Sequence, residues 1–198
     1  KYIKIDFQGV PITYFFDEIA SIDGKPVNIL KKPIIVEISN PGYAKPPNEE
    51  ENIEINSKST VEEIMKKINY YYSIHDFDKA IELCEMALKK TSDRKLIGVI
   101  HYSLSSNYLE KGNEAYIRNK DDSFYKLSIQ FAKKTLEVFP GSWQAFSNIG
   151  TDYFNMRDWR NAIVYFSEAE KYLDSNDPNY AAIETERKIS EKMMKRGG

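Results

Sequence analysis

The spacing of apolar residues changes character near residue 57. Before it, Ile3, Ile5 and Phe7 alternate with Lys4 and Asp6, the period of a half-buried strand. Val10 to Phe16 is β-branched and aromatic, Asp23-Gly24 suits a tight hairpin, and Pro33 to Ile38 predicts another strand, closed by Asn40-Pro41-Gly42. Residues 43 to 58 read as a linker broken by Pro46-Pro47, with Ile53 and Ile55 adding one short strand. From Ser59 the apolar residues recur at three and four. Ser59 or Thr60 can cap a helix carrying Glu62 and Glu63 in its first turn, where the helix dipole favours acid. That helix runs through Ile64, Ile68 and Tyr71 and breaks near His75-Asp76. Helices are then predicted over Phe77 to Lys90, Arg94 to Ile117, Phe124 to Val138, Ser142 to Met156 and Trp159 to Leu173. A last one opens at Asp177-Pro178, with Asp as cap and Pro in the first turn, and extends towards Lys195. The expectation is a mainly α chain (α+β overall): a small β-rich subdomain over residues 1–56, and antiparallel helix hairpins over 57–198.

Two of the helical stretches share one plan. Asp76-Phe77 leads into Ala80, Cys84 and Ala87; Asp158-Trp159 leads into Ala162, Phe166 and Ala169. Small residues at fixed spacing let two helix backbones approach, and the larger side chain between them fills the gap. With Phe146, Ile149, Gly150 and Tyr153 on the preceding helix, this pattern resembles the tetratricopeptide repeat family, whose unit is a helix–turn–helix of about 34 residues. A first repeat begins at Val61, with Ile64, Tyr71, Ala80, Cys84 and Ala87 at the equivalent places. A middle one begins at Gly98, with Leu104, Ser105, Tyr108, Ser128, Ala132, Thr135 and Pro140. The departures are specific. Ile68 stands where the family has Gly, Lys67 where it favours Leu, and Cys84 and Ala132 replace a large aromatic. The middle repeat also carries about eleven extra residues, within Glu110 to Leu127, which predict a lengthened first helix. The resemblance covers residues 59–198 and implies three repeats plus a capping helix.

What the resemblance implies for function is a superhelix whose concave face is lined by the first helix of each repeat. Projected on this chain, that face takes Met65, Asn69, Tyr72, Tyr102, Ser106, Leu109, Gln144, Ser147, Thr151, Phe154 and Asn155. The lining is aromatic and neutral-polar, suited to a peptide or protein partner held by stacking and amide hydrogen bonds. Some members of the family grip a chaperone's C-terminal carboxylate through Lys, Asn and Arg. The matching positions here are Met65, Asn69, Ser103, Gln144 and Asn148, so only Asn69 agrees and no such clamp is expected.

Composition narrows the classes. A net charge of −2 lacks the basic excess of a general nucleic-acid binder. No apolar run is long enough for a membrane span, and no signal-peptide pattern opens the chain, which favours a cytoplasmic setting. The single cysteine, Cys84, excludes an internal disulfide and reads as a small packing residue. His75 falls in a turn and His101 at a packing position, and no His or Cys has metal-ligand spacing. With no phosphate-binding glycine loop and no nucleophile elbow, no catalytic residue, metal or cofactor is expected. The reading is therefore a non-enzymatic interaction scaffold. The alternative rests on the missing methionine before Lys1: the chain is then the C-terminal region of a larger enzyme, a hydrolase or prolyl isomerase, with its chemistry upstream. Self-association through the final helix, by Tyr180, Ile183 and Ile189, is a further expectation, opposed by the capping role that any solenoid end requires.

Overall fold

A computed structural model describes the backbone of residues 2–7, 10–15, 21–22 and 25–26, and residues 54–196 with their side chains except at 117–119. The chain divides into two compact units, Lys1–Lys45 and Pro46–Gly198. In the first, β1 (Tyr2–Phe7) pairs antiparallel with β2 (Val10–Phe15), Ile5 opposite Ile12, and β3 (Ser21–Ile22) pairs antiparallel with β4 (Lys25–Pro26). The strand expected at Pro33 to Ile38 lies outside the described residues, as does Ile53. Ile55 is in no strand. It packs instead against the first helices, because an apolar side chain beside a forming core gains more there than in an isolated extended segment.

The second unit is helical along its length: α1 (Val61–Ser73), α2 (Phe77–Lys90), α3 (Arg94–Asn119), α4 (Ser123–Val138), α5 (Trp143–Asn155), α6 (Trp159–Glu170) and α7 (Pro178–Arg196). Helix starts follow the polar residues that announce them. Thr60 and Glu63 close a capping box, Asp76 accepts from the Lys79 amide and Asp158 from the Asn161 amide, both at 3.2 Å. Asp177 accepts from the Asn179 amide at 2.8 Å just ahead of Pro178.

Each helix packs on the next in sequence, and α3 also meets α5, and α5 meets α7. The result is a repeat-like succession of helix pairs. Its core is correspondingly serial. One cluster joins α1, α2 and α3 through Ile64, Ile68, Cys84, Ala87, Ile100 and Leu104; the next joins α4 and α5 through Ile129, Ala132, Ala145 and Ile149. The last joins α5, α6 and α7 through Phe154, Ala162, Phe166, Ala169 and Ile183. No pair buries its apolar face alone, so each needs a neighbour.

The α1–α2 and α5–α6 turns are copies of each other. His75 (φ 61°) and Arg157 (φ 63°) both adopt the left-handed region, which ends the helix and turns the chain. In each, the following Asp amide reaches back to a tyrosine carbonyl, Asp76 to Tyr71 at 2.9 Å and Asp158 to Tyr153 at 2.8 Å. The α3–α4 connection takes another path. There α3 runs on for 26 residues, against 13 in α1 and in α5, and ends at Lys120 with φ 58°. The extra residues thus lengthen the first helix, as their position implies.

The seam within each pair is filled by one large and one small partner. A Cβ at Gly150 would stand 2.5 Å from Cδ1 of the fully buried Phe166 ring, so only glycine admits that ring. At the equivalent places α1–α2 has Ile68 and Cys84, 1% and 0% exposed, which share the volume the other way round. In α3–α4 the equivalents are Ser105 and Ala132. There the aromatic-on-glycine contact recurs about two turns further on, as Tyr125 against Gly112. Burial pushes the Cys84 thiol up to about 12, with the Glu85 charge adding to it. The native protein is therefore expected to leave Cys84 unmodified by a thiol reagent at pH 8 while the urea-unfolded chain reacts at once; equal rates would show the α1–α2 seam to be open.

Candidate functional site

The first helices of the later pairs, α3 and α5, stand in a row with α7, and the side chains bonded between them are polar. Asn148 on α5 donates from Nδ2 to both Ser105 Oγ and Ser106 Oγ on α3, at 3.1 Å each. Asn155 donates to Asn113 Oδ1 at 2.8 Å, and the Tyr125 hydroxyl donates to the same oxygen at 3.0 Å. Thr151 donates to Glu186 Oε2 on α7 at 3.4 Å. These bonds tie the three helices, through amides and hydroxyls between α3 and α5 and through the Glu186 carboxyl at α7.

Ten of the eleven expected lining residues fall into three groups. Ser106, Thr151 and Asn155 are brought together in the hydrogen-bonded row just described. Tyr102, Leu109, Gln144 and Ser147 are partly buried on the same helices, Gln144 Oε1 accepting from Ser142 Oγ at 3.3 Å. On α1, Asn69 is exposed, Met65 packs against the first core cluster, and the Tyr72 ring meets Phe77 edge-on at 5.8 Å. Phe154 stands apart. It is 8% exposed and set edge-on to Trp159 at 5.4 Å and Phe166 at 6.5 Å, so its ring belongs to the core. Its neighbour Asn155 is 4% exposed and committed to Asn113.

Charge is scarce along the α3 and α5 parts of this row. From Leu96 to Leu109 on α3, and from Trp143 to Thr151 on α5, the sequence has no Asp, Glu, Lys or Arg. The one acid of α5, Asp152, is completely buried. Neither of its oxygens is in hydrogen-bond geometry with a described partner; the Ser128 hydroxyl lies near enough to offset burial only in part. Burial therefore raises the Asp152 carboxyl well above the usual range, and it raises Glu186 to about 7, with the Thr151 hydroxyl pulling weakly the other way. These two acids were missed among the expected site residues. The signal was present: Glu186 follows Asp152 by one repeat length, about 34 residues.

Elsewhere, a shallow cleft of about 520 Å³ lies against α1 and α2, lined by Glu54, Ile55, Lys67, Tyr71, Lys79, Glu82, Leu83 and Met86. Lys79 Nζ sits 5.2 Å from the Tyr71 ring centroid there. None of the expected lining residues borders it. His101 is partly buried at its packing position, with its ring tilted on Phe131 at 5.9 Å, and its Nδ1 makes no hydrogen bond with a described partner. Burial lowers its pKa, and the Lys134 charge lowers it further. Among the described residues no group of three or more His, Cys, Asp or Glu is placed to hold a metal ion. No described helix is long and apolar enough to cross a membrane. No protein-family model matches the chain, and no curated protein is significantly similar to it.

Proposed function

We propose that the helical unit is a non-enzymatic interaction scaffold of the tetratricopeptide type, taking an extended, uncharged peptide segment along the inner row of α3, α5 and α7. The observation that carries this reading is the neutral stretch of α3 and α5. A charged ligand group entering it would lose hydration without gaining a counter-charge, whereas a peptide backbone finds amide and hydroxyl partners. The twin turns at His75 and Arg157 support the repeat assignment, since they give two pairs the same entry into the second helix.

Peptides selected from a random library on the full chain test it. The selected peptides are expected to be poor in charge. Their affinity should fall about tenfold in a Tyr102→Ala, Gln144→Ala variant that melts like the parent. Affinity should also change less than about twofold between low and high salt, because little Coulomb attraction is available to screen. Affinity that survives the double substitution in a folded protein, or that collapses with salt, would remove the groove from consideration.

A further inference from the structure

Asp152 and Glu186 occupy two of the seams that α5 makes with its neighbours, those with α4 and α7. On the α4 side, Asp152 is fully enclosed, with Tyr125 and Ser128 facing it. On the α7 side, Glu186 is 5% exposed and held by Thr151. Among the described ion pairs neither acid has a cation. Arg187, next to Glu186, is engaged by Glu170 of α6 at 2.7 Å and by Glu191 at 2.5 Å, and Lys188 by Glu184 at 2.9 Å. The other titratable groups near Asp152 are acids or phenols: Glu110 on α3 and Asp152 both act on Tyr125, and Asp152 acts on Tyr153. None of these neighbours supplies a counter-charge.

From this placement we infer that the two acids form a proton-controlled latch on α5: protonated, they let α4, α5 and α7 close; ionised, they loosen both seams and open the C-terminal half of the inner row. An ionised carboxylate buried without a counter-charge is stabilised only by admitting water, and water enters by separating the helices. The direction follows from proton linkage. Both acids bind protons more tightly folded than unfolded, so the folded state loses ground as pH rises above the ordinary Glu value of 4.5 and levels off above about 7 for Glu186. The first two helices hold no buried acid among the described residues and are outside the latch. This device concerns the scaffold itself and stands whether or not the row takes a peptide.

Amide hydrogen exchange on the full chain, corrected for the intrinsic pH dependence of exchange, tests it at pH 5.5 and pH 8. Protection in α5 and α7 is expected to fall by at least about tenfold at pH 8, while α1 and α2 change little. The Asp152→Asn, Glu186→Gln variant carries neutral side chains of the same shape and should keep its protection at both pH values. Protection in α5 and α7 that is the same at pH 5.5 and 8 would overturn the latch. So would a loss at pH 8 that persists unchanged in the double variant. If the double variant does not fold, Glu186→Gln alone decides by the same comparison, since it should remove the pH 5.5 to 8 component at the α7 seam.

Discussion

Phe166→Ala is expected to destabilise the helical unit by about 3–5 kcal/mol, towards the upper end of that range. The ring is fully buried between α5 and α6 in the cluster that also holds Phe154, Ala162, Ala169 and Ile183. Across the seam its partner is Gly150, which has no side chain to relax into the vacated space. Neighbouring helix backbones cannot close the gap without breaking the Asn148 and Thr151 bonds on the opposite face of α5. A loss of this size is a large share of an ordinary domain's stability of about 5–15 kcal/mol, so the variant should be marginal at 37 °C. Urea denaturation measures it; a loss under about 1 kcal/mol would mean that the seam repacks freely.

The second large effect is a test of shape. Cys84→Phe should cost about 2–3 kcal/mol, because Ile68 already fills the space that the aromatic ring would need. Adding Ile68→Gly restores the arrangement that α5–α6 uses, glycine beneath a buried aromatic ring. The double variant is expected to recover more than half of the loss, although glycine in a helix itself costs about 1 kcal/mol. Coupling of this sign and of more than about 1 kcal/mol would identify the two pairs as versions of one unit. Additivity within about 0.5 kcal/mol would break the equivalence.

The two cases show where local chemistry was enough. Thr60, read with Ser59 as a candidate cap, and Asp177 each accept a first-turn amide, and Asp76 and Asp158 of the two Asp–aromatic pairs do the same. The interrupted periodicity around Asn119 to Ser123 marked the break between the long third helix and the fourth. Ile183 and Ile189, which raised the idea of self-association, pack against the last hairpin. Thr185, Lys188 and Lys192 of α7 are exposed.

The site was less legible. Phe154 read as a ligand-facing aromatic and lies in the core. A rotation of α5 by part of one residue step decides between those two fates, and the sequence period does not resolve so small an angle. Asp152 was passed over for another reason, although its spacing from Glu186 was there to be read. A single acid in a helix is ordinarily solvated, and only the approach of α4 buries it.

By itself the sequence determined a set of helix hairpins with small residues at their seams, and stretches of α3 and α5 without formal charge. Those properties follow from local spacing and from residue type, which every chain carries whether folded or not. Tertiary packing alone decided which large side chain pairs with which small one, Phe166 with Gly150 but Ile68 with Cys84. It also moved the aromatic contact of the middle pair to Tyr125 and Gly112. It alone enclosed Asp152 and Glu186. Burial is a property of what the neighbours exclude, and the neighbours of α5 come from segments before and after it in the chain.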